Sequence, residues 1–72
     1  MAIRDELIKS SIRYSLLDIE ELIRLEDIDG YYMSDYVHRH EQYVDILKEL
    51  GSTWDFRDTT IELRIAKAKE QQ

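Results

Sequence analysis

The stretch Ile28–Asp29–Gly30–Tyr31–Tyr32–Met33–Ser34–Asp35 (IDGYYMSD) lies between two segments of helical apolar periodicity, and it decides whether they form one rod or fold back on each other. Gly30 follows a long periodic run. Glycine takes the left-handed backbone without a side-chain penalty, so it reads as a helix stop. Ser34 is a good N-cap residue, and Asp35 places a negative charge in the next helix's first turn, where the dipole favours it. A stop and a start this close predict a helical hairpin turning at Asp29–Gly30–Tyr31–Tyr32.

Upstream, the periodicity predicts a helix over residues 2–28, about 39 Å long at 1.5 Å per residue. At about 100° per residue, Ile8, Ile12, Leu16, Ile19, Leu22 and Ile23 fall on one stripe. Ile3, Leu7, Tyr14, Leu17, Leu25 and Ile28 fall on a second, which leaves Glu6, Lys9, Arg13, Glu20, Arg24 and Asp27 as the polar arc. One stripe serves one neighbour. Two stripes call for two, and a second subunit covering Ile3, Leu7, Tyr14 and Leu17 would supply the other.

Downstream, Met33, Val37, His40, Val44 and Leu47 recur at helical spacing, flanked by Tyr36, Tyr43 and Leu50. This predicts an amphipathic helix over 34–50, stopped by Gly51 and shorter than the first. In the last segment, Thr59 followed by Glu62 is a capping-box pattern leading into strong helix formers, so a short helix is expected over 59–70. Residues 60–65 also alternate polar and apolar, the pattern of a strand. Trp54 and Phe56, in the connection, are expected to close one end of the core. The fold class read from the sequence is therefore all-α: a long N-terminal helix packed as a hairpin on a shorter second helix, with a short C-terminal helix.

The chain has 72 residues, no cysteine and no proline. A chain of this size buries only about 60% of its unfolded surface, and without disulfides or thiolate-bound metal a further subunit is the most economical support. A homodimer or small oligomer is expected. No apolar run approaches the roughly 20 residues needed to cross a bilayer, and MAIRDELIK lacks a signal peptide's basic and apolar regions, so a cytoplasmic protein with no membrane association is expected. Ten Lys and Arg stand against sixteen Asp and Glu, a formal charge of -6. That balance opposes direct nucleic-acid binding, which needs clustered cations.

Residues 31–43, YYMSDYVHRHEQY, hold four of the five tyrosines and both histidines. His38 and His40 diverge by about 200° on a helix and cannot grip one ion from it, so no metal site is expected. His38 faces Asp35, Glu41 and Asp45 on a solvated side. His40 falls within the apolar stripe and is expected to bond a tyrosine or a backbone carbonyl. Its alternative role is a pH-sensitive contact, because protonating a buried neutral imidazole is costly. Tyr31 and Tyr32 are adjacent and cannot both point inward. With Tyr36 and Arg39 they form a candidate recognition surface, since tyrosine joins apolar area to a hydroxyl.

No serine sits in a nucleophile-elbow or phosphate-loop context, and Glu20–Glu21 and Glu26–Asp27 are paired only in sequence. The chain therefore reads as non-catalytic, with no cofactor implied. The leading expectation is an adaptor- or inhibitor-type interaction module acting on another protein, in the compositional company of small accessory proteins of bacteria and their viruses. Two alternatives stand beside it: an oligomeric binder of a nucleotide-like ligand through the tyrosine surface, and an acidic mimic of nucleic acid that blocks a DNA-binding protein. The interleaving of Arg4, Lys9, Arg13 and Arg24 weakens the second.

Overall fold

The computed structural model describes residues 3–71. Among them are three helices and no strand: α1 (Ile3–Leu25), α2 (Met33–Glu49) and α3 (Thr59–Glu70). The expected start of the first helix at Ala2 lies outside the described residues. α1 and α2 run antiparallel, because Ile23 of α1 meets Met33 and Val37 at the start of α2 while Leu16 and Ile19 meet Leu47 near its end. α3 packs against both.

The first helix ends three residues earlier than expected, and the reason lies in α3. Arg64 Nε donates to the Ile23 carbonyl at 3.0 Å, and Arg64 Nη2 donates to that of Glu26. Carbonyls at a helix C-terminus lack intrahelical partners, and a guanidinium that satisfies them also complements the negative end of the dipole. Gly30 is therefore not the left-handed cap read from the sequence. Its φ is not positive; instead a Cβ there would sit 2.9 Å from the Asp27 carbonyl oxygen, so glycine is needed for close approach.

The turn passes through Gly30 N–H to Asp27 C=O (2.8 Å) and Met33 N–H to Gly30 C=O (3.2 Å) straight into α2. Ser34 is consequently already inside the first turn. The N-cap position belongs to Tyr32, whose side chain makes no capping bond. At the other end of α2 the sequence reading holds. Gly51 has φ +79°, Gly51 N–H bonds Lys48 C=O at 3.0 Å and Ser52 N–H bonds Leu47 C=O at 2.8 Å, the two bonds of a Schellman cap.

α3 spans the expected residues, but Asp58 caps it rather than Thr59: its carboxylate accepts from the Thr60 N–H at 2.9 Å and from the Thr60 hydroxyl. Ile61, Ile65 and Ala68 recur at helical spacing and are buried, while Leu63, which a strand would place beside Ile61 and Ile65, is 67% exposed. Packing on one face thus resolves the ambiguity of residues 60–65 in favour of helix.

The core has two parts. Ile23, Met33, Val37, Ile61, Ile65 and Ala68 join all three helices near the hairpin turn. Leu16, Ile19 and Leu47 lie further along the hairpin, where α3 no longer reaches, and there Trp54 provides cover together with Ile12, Tyr36, Tyr43 and Val44. Trp54 and Phe56 do not close an end as expected. They belong to an extended strap, residues 52–58, that returns along the flank of α1. Three side-chain bonds fasten it: Arg13 to Ser52 Oγ (2.5 Å), Trp54 Nε1 to Glu20 Oε1 (2.7 Å) and Arg24 to Asp58 Oδ2 (3.3 Å). The anchor points match in length, since 11 helical residues rise about 17 Å and six extended residues span about 20 Å. Along the strap Thr53, Asp55 and Arg57 are exposed and the residues between them half-buried, the alternation of extended chain.

Candidate functional site

Three groups of side chains carry chemistry. The first is enclosed. Glu20, placed by helical projection on the polar arc of the first helix, is instead buried at 7% exposure, opposite His40 at 3%. Glu20 Oε1 lies 3.1 Å from His40 Nε2 and accepts the Trp54 Nε1–H at 2.7 Å. The expected histidine partner, a tyrosine or a backbone carbonyl, is replaced by a carboxylate. An ionised carboxylate only accepts, which assigns the proton to His40 Nε2. The imidazole also stacks on Phe56, with centroids 5.4 Å apart and planes 11° from parallel. This cluster joins α1, α2 and the strap, and a buried polar group satisfied in this way specifies one arrangement of the elements.

The second group is the tyrosine surface. Tyr31 is 87% exposed and Tyr32 52%, with ring centroids 4.9 Å apart in an edge-to-face pair. Tyr32 stacks on Tyr36 at 6.2 Å and 24°. Tyr36 is half-buried and touches both parts of the core, so the ledge is anchored at one end and open at the other. Arg39, one helical turn beyond Tyr36, is exposed and forms no hydrogen bond or ion pair with a described residue.

The third group is the outer face of α1. Ile3, Leu7 and Tyr14 are 77%, 63% and 70% exposed, and Leu17 is half-buried. Residues 3–8 are all exposed, because α2 and the strap end before reaching them. Beside this face, between α1 and the strap, lies a groove lined by Ser10, Arg13, Tyr14, Leu17, Trp54 and Arg57. Sequence reasoning missed it, since its walls come from residues some 40 positions apart that only the strap brings together.

His38 is exposed over a shallow depression shared with Asp35, Glu41 and Lys69, where Lys69 pairs with Glu41. Among the described residues, no group of three or more His, Cys, Asp or Glu side chains is placed to hold a metal ion, and no helix is long and apolar enough to cross a membrane. No family model matches the sequence, and neither the curated proteins nor the solved structures include a match to it.

Proposed function

We propose that this chain is a small non-catalytic interaction module of the adaptor or inhibitor kind. It self-associates through Ile3, Leu7, Tyr14 and Leu17 and presents Tyr31, Tyr32, Tyr36 and Arg39 to another protein. The observation that supports this reading best is the tyrosine ledge. Three rings in successive contact, the outermost 87% exposed, form a continuous amphipathic surface. Tyrosine offers large contact area at low conformational cost, and such residues dominate interface energetics. The exposed apolar residues of α1 supply the reason for self-association: each large side chain removed from water contributes about 1.5–3 kcal/mol.

Two measurements test the two halves separately. Light scattering across a dilution series should show the oligomer dissociating, and Leu7→Glu should shift that equilibrium toward monomer. A chain that remains monomeric at the highest soluble concentration removes the self-association half. For the ledge, the tagged chain is used to capture proteins from its native cell, and the co-purifying species is identified. Tyr32→Ala should lose that partner and keep its fold, whereas Tyr36→Ala should lose stability. Capture that is indifferent to Tyr32→Ala refutes the ledge.

A further inference from the structure

We propose that the groove between α1 and the strap binds a small ligand in which an anionic group adjoins a flat apolar ring. Arg57 and Arg13 hold the anion, and Trp54 and Tyr14 hold the ring. The site is distinct from the tyrosine ledge.

The groove runs against the charge of the whole chain. The chain carries sixteen acidic residues against ten basic ones, yet this groove is lined by two guanidiniums and no carboxylate. Arg57 is exposed and forms no hydrogen bond or ion pair with a described residue. Arg13 spends one Nη on Ser52 Oγ at 2.5 Å, which fixes the direction of its side chain while a guanidinium retains further N–H donors. A planar fork held in place suits the bidentate geometry of carboxylate or phosphate.

The apolar wall is held in place by the fold. The Trp54 indole N–H is already bonded to the buried Glu20 carboxylate, so the ring keeps its place in the wall and has no polar group left to satisfy. Tyr14, 70% exposed, provides a second ring, and half-buried Leu17 lines the same groove. Aromatic faces and a guanidinium plane both stack on flat rings. Size then limits the occupant. The groove has a volume of about 210 Å³. Sites for drug-sized ligands run from about 300 to 1,000 Å³, so this one fits a single ring with its anionic substituent.

Trp54 is the only tryptophan, so its emission reports directly on the groove. The full chain is titrated with phenyl phosphate, phenylacetate, inorganic phosphate and benzyl alcohol, at a protein concentration where light scattering reads monomer, because self-association through the outer face of α1 would cover Tyr14 and Leu17. Phenyl phosphate or phenylacetate should give a saturable change in emission, and the tighter of the two identifies the anion. Inorganic phosphate and benzyl alcohol should each bind more weakly, since each offers half of the recognition. Arg57→Ala should weaken binding about tenfold and leave the unfolding temperature unchanged, because the side chain makes no internal bond. Three results would overturn the site: no saturable response to either ring-bearing anion at millimolar concentration, benzyl alcohol binding as well as they do, or full affinity in Arg57→Ala.

Discussion

Truncating Glu20 to alanine tests the buried cluster most directly. One oxygen of this carboxylate accepts from Trp54 Nε1 at 2.7 Å and faces His40 Nε2 at 3.1 Å, with Glu20 at 7% and His40 at 3% exposure. Glu20→Ala therefore strands two N–H donors at once. Stranding a buried donor costs about 1–3 kcal/mol. Trp54 is half-buried and can recruit water, so its share lies at the lower end, about 1 kcal/mol, while enclosed His40 costs about 2. The sum, about 3 kcal/mol, is a large part of the roughly 4–11 kcal/mol expected of a chain this size. It corresponds to a drop of about 12–24 °C in Tm. Urea unfolding followed by Trp54 emission and far-UV circular dichroism gives the number. Glu20→Gln keeps an acceptor at the same place and should cost only about 1 kcal/mol. A double-mutant cycle of Glu20→Ala with Trp54→Phe should show coupling, because each change removes the same bond. If Glu20→Ala lies within about 0.5 kcal/mol of wild type, the range of ordinary surface substitutions, the cluster is not holding the strap. If Gln is as costly as Ala, it is charge and not acceptance that matters, and the reasoning fails on that point.

The two glycines should respond differently to alanine. Gly51→Ala meets nothing within 4 Å but must hold φ +79°, a strain of about 1–2 kcal/mol, whereas Gly30→Ala brings its Cβ to 2.9 Å of a backbone oxygen and should cost more, as chemical denaturation would show. Arg64→Met removes the bonds to the Ile23 and Glu26 carbonyls. It should destabilise by about 1.5–3 kcal/mol and raise amide exchange in the last turn of α1, and unchanged exchange there would contradict the capping role. At Asp58, hydrogen bonds from the Thr60 hydroxyl and backbone N–H, with the Arg24 guanidinium beside them, hold the carboxyl below its ordinary range. A depressed carboxyl stabilises the fold above its unfolded pKa, and that contribution is lost as pH falls through the folded value. Asp58→Asn should therefore flatten the loss of stability between neutral pH and about pH 3, measured from urea midpoints.

By itself the sequence determined the first two helices and most of the faces they bury. Met33, Val37, His40 and Leu47 recur at helical spacing and all four are buried, as are Leu16, Ile19 and Ile23. These are local properties, since periodicity and the positive φ open to Gly51 belong to short windows of chain. What the tertiary structure decided are the places where distant residues meet. Glu20 is polar by every local measure and is buried only because His40 and Trp54 satisfy it. α1 stops at Leu25 because Arg64, 39 positions later, takes its carbonyls. The alternating run at 60–65 is helix because Ile61, Ile65 and Ala68 find the hairpin beneath them. The groove of Arg13, Tyr14, Trp54 and Arg57 has no signature in either of its segments, for it exists only where the strap returns along the flank of α1. Periodicity records which side of an element avoids water, and it carries no information about which polar partner waits on that side.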